Sequence, residues 1–366
     1  MRLASRHGPG RIANRRGWRR SIAAILTVVC MAAAPAACGQ ANEAGGRVTL
    51  LPQTAAGGNV WDWTSQCRVG PHRQIGCYAA GPNVGSAQLA GNEWNLGGTE
   101  NAGSVSMSID SAGALQVKGK LSTTPPCTAA DCVAPQANTW VRGFPSVLYG
   151  IDQCNAGTSP QQSPKLRLPA RVDSISPNLI GTTTYNPKTP EVTYDIAYDM
   201  WLNPSGTTSP CQTDGTVEVM VWTDHNAQSL LPAGLTAGIA TVPYSVNGAA
   251  KSGDRAWTVY ATNVYGNGHT VPWGGTVWVV LDAAHTVKRG TVSVDLSAAL
   301  DAVGTVLQRN YGWSDFGSSH WLDTIAFGAE FGPQNADPYG NGPTDFSLHL
   351  TSYCLEVGTK VSAAGC

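Results

Sequence analysis

Two glutamates lie inside strand patterns that are otherwise apolar. In the stretch 216–222, period-two alternation gives one face of three valines and an opposite face that carries Glu218, Met220 and Trp222. A second apolar stretch is built in the same way around Glu330. An ionised carboxylate is costly to desolvate, and the chain has only seven Glu. The two residues are therefore candidates for acid–base chemistry.

A third acid, Asp199, occupies another strand pattern upstream of Glu218. Two carboxyl groups flanking a glycosidic bond are the minimum requirement for its hydrolysis, because one protonates the leaving oxygen and the other meets the anomeric carbon. A further acid can orient the second group and raise its proton affinity through like-charge coupling. Indole rings cover the C–H face of a sugar, and of the twelve tryptophans we assign Trp94 and Trp222 to this task.

The elements that must position these residues are strands. Short strand patterns separated by Gly, Pro, Asn and Ser clusters begin at Val60 and are typical of a sandwich or barrel. The better patterns cover 104–109, 114–117, 146–150, 171–175, 192–202, 216–223, 239–246, 256–264, 276–281, 323–331 and 344–357. Leu296, Leu300, Val303 and Leu307 recur instead at helical spacing, after possible caps at 293 and 295. This predicts one amphipathic helix on the back of a sheet.

The first residues predict an export signal. Five arginines between residues 11 and 20 precede an apolar run and a small-residue segment that ends at Cys38. We expect residues 1–37 to be the signal, residues 38–58 a flexible tether and residues 59–366 a single catalytic domain of a secreted protein. Residues 36–38 also resemble a lipoprotein cleavage site, so lipid attachment at Cys38 stays open, as does an uncleaved membrane anchor.

The charge of the remaining chain favours a neutral polymer as partner. Without residues 1–37 the chain has 16 basic and 24 acidic residues, a formal charge of −8. No basic stripe is left for a nucleic acid or an anionic membrane surface. We expect no cofactor, no protein partner and a monomer.

With Cys30 and Cys38 set aside as part of the signal region, eight cysteines remain and predict disulfides, because an even count is typical of exported chains. Eight cysteines allow 105 connectivities. Short loops favour Cys67–Cys77, Cys127–Cys132 and Cys354–Cys366, which leaves Cys154–Cys211. No His or second Cys pair completes a zinc site around residues 127–132, so we expect no metal.

Seven short motifs occur in a fixed order along the chain. They are Asn92-Glu-Trp94, Phe144-Pro-Ser-Val-Leu-Tyr-Gly150, Leu168-Pro-Ala-Arg-Val172, Ala197-Tyr-Asp199-Met-Trp-Leu, Glu218-Val-Met220-Val-Trp222, Leu231-Pro-Ala-Gly234 and Phe327-Gly-Ala-Glu330. In this order they resemble the motifs of the family-12 glycoside hydrolases, β-jelly-roll endoglucanases also called cellulase family H. Phe331 after Glu330 departs from the usual pattern, which bears on substrate range.

The resemblance implies an all-β fold, a two-sheet antiparallel jelly-roll sandwich with a concave cleft and one short helix on the convex side. It further implies a retaining double displacement in which Glu218 is the nucleophile and Glu330 the general acid/base. Asp199 would hydrogen-bond the nucleophile. By the same resemblance, Asn92, Trp94, Met220 and Trp222 line the sugar subsites.

The resulting hypothesis is an exported endo-β-1,4-glucanase that acts on cellulose-like glucans. Two alternatives stay open: a non-catalytic β-glucan-binding protein, and a hydrolase of xyloglucan or mixed-linkage glucan. Three further titratable residues receive no role at this point. We take Asp195 and Asp224 as solvated or turn residues and His225 as a loop residue.

Overall fold

The computed structural model describes residues 46–51, 61–65, 80–93, 103–110, 112–121, 141, 143–151, 161–175, 179–188, 192–204, 206, 215–228, 231, 235–262, 275–333, 344–358 and 366. The chain divides into the units Met1–Cys38 and Gly39–Cys366, and every described residue belongs to the second. The predicted signal and Cys38 lie outside the described residues. No helix in the described ranges is long and apolar enough to cross a membrane.

Strands dominate the described part of the chain. They are β1 (Gly46–Thr49), β2 (Trp61–Ser65), β3 (Ala80–Val84), β4 (Ala87–Glu93), β5 (Gly103–Ile109), β6 (Leu115–Leu121), β7 (Gly143–Gly150), β8 (Ala170–Arg171), β9 (Leu179–Lys188), β10 (Val192–Asn203), β11 (Val217–His225), β12 (Thr236–Ala240), β13 (Tyr244–Val246), β14 (Ala249–Lys251), β15 (Trp257–Ala261), β16 (Gly275–Leu281), β17 (Gly290–Asp295), β18 (Trp321–Pro333) and β19 (Thr344–Val357). The helices are α1 (Val172–Ile175), α2 (Leu296–Tyr311) and α3 (Phe316–Ser319).

The strands form two sheets, which confirms the predicted jelly-roll sandwich. The nine-stranded sheet has the order β14-β13-β17-β9-β19-β6-β5-β2, with β1 added to β19. The ten-stranded sheet has the order β12-β15-β16-β11-β10-β18-β7-β4-β3, with β8 added to β18. Its long central strands are antiparallel, but β11 and β16 run parallel, so the sheet is mixed rather than purely antiparallel.

Period-two alternation separates the two faces of the ten-stranded sheet as the sequence predicts. Val217, Val219 and Val221 of β11 belong to the main core, which lies between the sheets. Met220 and Trp222 of the same strand belong to a second, smaller apolar cluster on the opposite face. We call this opposite face, which carries Glu218, the outer face.

The predicted helix is confirmed as α2 and packs on the core side of the ten-stranded sheet. Its buried residues, among them Leu300 and Val303, join the main core. It begins after Asp295, whose side chain accepts a 2.9 Å hydrogen bond from the backbone N–H of Ala298. It ends at Gly312, which adopts a left-handed φ of 75°.

Three expectations are corrected. The stretch 171–175 was predicted as a strand but turns helical at Val172, because only residues 170 and 171 pair with β18. The predicted strand 239–246 is interrupted at 241–243 and divides between β12 and β13, which lie in different sheets. Residues 46–51 of the predicted tether belong to the sandwich, where β1 pairs with β19 and Leu50 and Leu51 are buried.

The structure confirms one of the four predicted disulfides. Cys354 in β19 is joined to Cys366, with 5.8 Å between their Cα atoms. The other three pairs lie outside the described residues. The bond ties the end of the chain to a central strand of the nine-stranded sheet.

Two glycines of the nine-stranded sheet make room for large rings of the other sheet. A Cβ on Gly181 of β9 would lie 2.6 Å from the ring of Tyr198, and a Cβ on Gly119 of β6 would lie 2.5 Å from the ring of Phe331. Tyr198 precedes Asp199 in sequence, and Phe331 follows Glu330. The close approach of the sheets at these glycines therefore fixes the backbone beside two of the candidate acids.

We predict that Gly181→Ala and Gly119→Ala each destabilise the protein by about 1–3 kcal/mol, because the added methyl overpacks the core against a buried ring. Urea unfolding followed by circular dichroism measures the change. Gly317→Ala is the control, since its Cβ would meet nothing closer than 3.9 Å. Equal stability of all three variants would contradict the role given to these close approaches.

Candidate active site

Glu218 lies near the start of β11 on the outer face of the ten-stranded sheet. Its neighbours across the two flanking strands are Trp201 of β10 and Thr276 of β16. The Thr276 hydroxyl donates a 2.6 Å hydrogen bond to Oε2 of Glu218. Burial raises the pKa of Glu218 to about 7, and the hydrogen bond from Thr276 opposes this rise.

Asp199 of β10 shares the outer face with Glu218, because it pairs with Met220, two residues further along β11. It is buried, and its Oδ2 accepts a 3.0 Å hydrogen bond from the indole N–H of Trp201. Its Oδ1 has no hydrogen-bond partner within the described ranges. The hydrogen bond expected between Asp199 and Glu218 is therefore absent among the described contacts, and the two acids interact through charge.

Glu330 lies near the end of β18, directly opposite Asp195 of β10. Asp195 has no exposed surface, and Glu330 is 9% exposed. The earlier assignment of Asp195 to a solvated or turn position is wrong, because the register of β10 with β18 places it on the outer face beside Glu330. No sequence motif marked it, since only strand pairing brings these two acids together.

Burial and mutual repulsion disfavour ionisation of this pair. Burial raises the pKa of Asp195 to about 8, while its contact with the Glu330 carboxyl lowers it. Burial also raises the pKa of Glu330 well above its usual value, and the Asp195 charge adds to the rise. Asp195 therefore ionises before Glu330, and the proton of the pair resides on Glu330.

Glu218 and Glu330 interact by charge across the outer face, although their partners on β10 are far apart in the strand. Glu218 lies opposite Trp201 and Glu330 opposite Asp195, an offset of six residues along β10. Six residues of a flat strand span about 20 Å. The Glu218 charge nevertheless raises the pKa of Glu330.

An apolar floor lies beside the acids on the same face. It consists of Val141, Phe144, Leu148, Ala197, Met220, Trp222, Ala227, Trp278, Val280 and Ala326. The structure thus places Met220 and Trp222 next to Glu218, and the Trp222 indole N–H has no partner among the described residues. Asn92 lies in β4 opposite Phe144, and its side chain, like the whole of Trp94, lies outside the described residues.

Asp224 and His225 form a buried network at the end of β11, so their assignment to solvated or loop positions is wrong. Asp224 accepts hydrogen bonds from the Tyr194 hydroxyl at 3.0 Å and from the Lys288 ammonium at 2.7 Å. His225 contacts the carbonyl oxygen of Leu281 at 2.7 Å through Nε2. Asp224 pairs with Ile196, a core residue, so its carboxylate lies on the core side rather than with the other acids.

The arrangement joins two carboxyl groups with separated proton affinities to an apolar cluster on one face of the ten-stranded sheet. Glu218 ionises near pH 7, and Glu330 holds its proton to higher pH. One group can thus act as an anion while the other still donates a proton. Within the described ranges, no cluster of His, Cys, Asp and Glu could hold a metal ion.

Comparison with known proteins identifies the family. The model of glycosyl hydrolase family 12 matches residues 86–352, which include Asp199, Glu218 and Glu330. A comparison with curated protein sequences gives no match.

Several solved structures are similar to this chain. They include endoglucanase 3 of Trichoderma harzianum, with 16% identity over 82% of this chain and 98% of that chain and a TM-score of 0.46. A family 12 xyloglucanase from Bacillus licheniformis has 15% identity over 81% and 99% of the two chains and a TM-score of 0.48. An endoglucanase from Rhodothermus marinus has 18% identity over 80% and 99% and a TM-score of 0.41.

The family match spans well over half of the sequence and runs from the start of β4 into β19. On this evidence the chain belongs to glycosyl hydrolase family 12 and is a glycoside hydrolase.

Proposed function

We propose that this protein cleaves internal β-1,4-glucosidic bonds of cellulose-like glucans by a retaining double displacement. The observation that carries the proposal is that Glu218 and Glu330 lie on the same face of the sheet, on strands that both pair with β10, where the Glu218 charge raises the pKa of Glu330. Their proton affinities differ in the sense that a nucleophile and an acid require.

In the first step, the Glu218 carboxylate attacks the anomeric carbon and forms a glycosyl ester, while Glu330 donates its proton to the departing glycosidic oxygen. In the second step, the Glu330 carboxylate removes a proton from water, whose oxygen attacks the same carbon and releases Glu218. Both residues end in their starting protonation states. Asp199 lies on the same face beside Glu218, and burial together with the Glu218 charge raises the pKa of Asp199 well above its ordinary value.

The floor of the outer face supports a sugar polymer as substrate. Met220 and Trp222 are 3% and 1% exposed and form the apolar layer directly beside the acids, over which a sugar ring would lie. Asn92 and Trp94 belong to the same proposal as further subsite residues. Initial rates on cellulose derivatives, xyloglucan and mixed-linkage β-glucan define the substrate range.

The proposal includes export from the cytoplasm. Residues 1–37 carry the pattern of a signal, and the Cys354–Cys366 disulfide is typical of proteins that fold in an oxidising compartment. A lipid at Cys38 would keep the enzyme at the cell surface. Mass spectrometry of the mature N-terminus distinguishes a free from a lipid-tethered protein.

We predict that Glu218→Gln and Glu330→Gln each lower kcat on a soluble β-1,4-glucan by about 10²- to 10⁴-fold, because an amide neither attacks the sugar nor transfers a proton. Asp345→Asn, at an exposed carboxylate of the nine-stranded sheet, is the control. NMR of the wild-type reaction should show the β-anomer as first product. Full activity in either Gln variant, or release of the α-anomer, would remove the assignment.

We predict a pH profile displaced upward from that of two ordinary carboxyl groups. The acidic limb of kcat/KM should lie near pH 7, where Glu218 becomes the anion. The alkaline limb should lie higher, because Glu330 retains its proton there. The apparent values belong to the coupled acids as a group. An acidic limb below pH 5 would show that Glu218 is not desolvated in solution.

We predict that Asp195→Asn stabilises the folded protein at pH 7 by an amount on the order of a few kcal/mol. The folded-state pKa of Asp195 is raised to about 8, so stability is lost as pH rises from about 4 towards 8. The gain should therefore vanish near pH 4, where the unfolded chain is also protonated. Thermal unfolding at both pH values measures this. A variant less stable than wild type at pH 7 would show that contacts stabilise the Asp195 anion.

A further inference from the structure

The hydrogen bond between Thr276 and Glu218 has no counterpart in the motifs of the sequence. Thr276 is the second residue of β16, and the parallel register with β11 places it directly beside Glu218. Its side chain faces the acid, and the residue is only 5% exposed. The 2.6 Å distance between its Oγ1 and Oε2 of Glu218 is short, as expected for a hydroxyl that donates to a carboxylate.

The Glu218 charge raises the pKa of each of the other acids on the outer face. Asp199 lies on β10 and Glu330 on β18, and each is coupled to Glu218 by like charge. Asp195, also on β10, is coupled in the same way. Trp201, opposite Glu218, directs its indole N–H to Asp199. Among the described residues, Thr276 is the group whose hydrogen bond lowers the pKa of Glu218.

The backbone of Thr276 is fixed by a second threonine. Thr262, just after β15, accepts a 3.2 Å hydrogen bond from the Thr276 N–H through its hydroxyl. The same hydroxyl donates to the Thr276 carbonyl oxygen at 3.1 Å, and the Thr262 backbone N–H donates to that oxygen at 3.2 Å. Gly275, which precedes Thr276, has a φ of 117° that side chains rarely adopt. These contacts define where the Thr276 hydroxyl lies.

We propose that Thr276 is the positioning residue that holds Glu218 as an oriented carboxylate. The hydroxyl engages Oε2, so that Oε1 is the oxygen that attacks the anomeric carbon. This inference rests on the proposed role of Glu218 as nucleophile. It assigns to a neutral hydroxyl of β16 the hydrogen-bonding task that the sequence motifs suggested for Asp199.

The test compares three substitutions at this position with one elsewhere. Thr276→Val keeps the shape of the side chain and replaces the hydroxyl by a methyl group. Thr276→Ala removes both the hydroxyl and the γ-methyl, and Thr276→Ser retains the hydroxyl. Thr258→Val is the matched control, because Thr258 on β15 also donates to a carboxylate, that of Asp282 at 3.1 Å, away from Glu218. Thermal unfolding verifies that each variant is folded.

Two properties of each variant are then measured. One is the pH dependence of kcat/KM on a soluble β-1,4-glucan. The other is the titration of the Glu218 carboxyl by NMR on protein with ¹³C-labelled glutamate, with the resonance assigned by its loss in Glu218→Gln. We expect Thr276→Val and Thr276→Ala to raise the Glu218 pKa by about one unit and to move the acidic limb upward equally. Thr276→Ser and Thr258→Val should match the wild type.

The outcomes separate this proposal from the proposed function. An unchanged Glu218 pKa in both Thr276→Val and Thr276→Ala would overturn the role of Thr276. A raised pKa with an unmoved acidic limb would uphold the hydrogen bond and contradict Glu218 as the group that controls the reaction. A uniform loss of activity at every pH, with no shift of the limb and no change of pKa, would reduce Thr276 to a packing residue.

Discussion

The desolvation of four carboxyl groups on one face of a sheet is the constraint on which the rest of the structure depends. Asp195, Asp199, Glu218 and Glu330 lie on three adjacent strands, and each has a pKa raised first of all by burial. The neighbours that act on them are other acids, a hydroxyl and an indole. Repulsion of this kind drives a flexible site apart, so the acids can stay together only on a backbone that does not relax.

The opposite face of the same strands supplies that rigidity. Along β10 the acids alternate with Ile196, Tyr198 and Met200, which are fully buried between the sheets. A one-residue slip would exchange these core residues with the acids, so the register of β10 is strongly specified. Gly181 lets the Tyr198 ring pack closely against the other sheet, which fixes the strand next to Asp199. The hydrophobic core thus determines where the charges lie.

The sequence predicted the parts of this arrangement that depend on local pattern, and it missed those that depend on pairing. Alternation within β11 was enough to place Glu218 opposite the valine face. The strand prediction for residues 171–175 was wrong because a short segment with two β-branched residues does not reveal whether a partner strand continues beside it. Asp195 and Thr276 were missed for a related reason. Their importance comes from the registers of β10 with β18 and of β16 with β11, which no single segment encodes.

Two neighbours of opposite effect explain how acids of one chemical type can take two roles. Thr276 donates to Glu218 and lowers the pKa of that carboxyl, while the Asp195 charge raises the pKa of Glu330. Burial is the largest cause of the rise in both carboxyls, and it moves their pKa values in the same direction. The effects that act in opposite directions come from the adjacent strands, a hydroxyl beside one acid and a carboxylate beside the other. Strand pairing therefore contributes to the division of labour between Glu218 and Glu330.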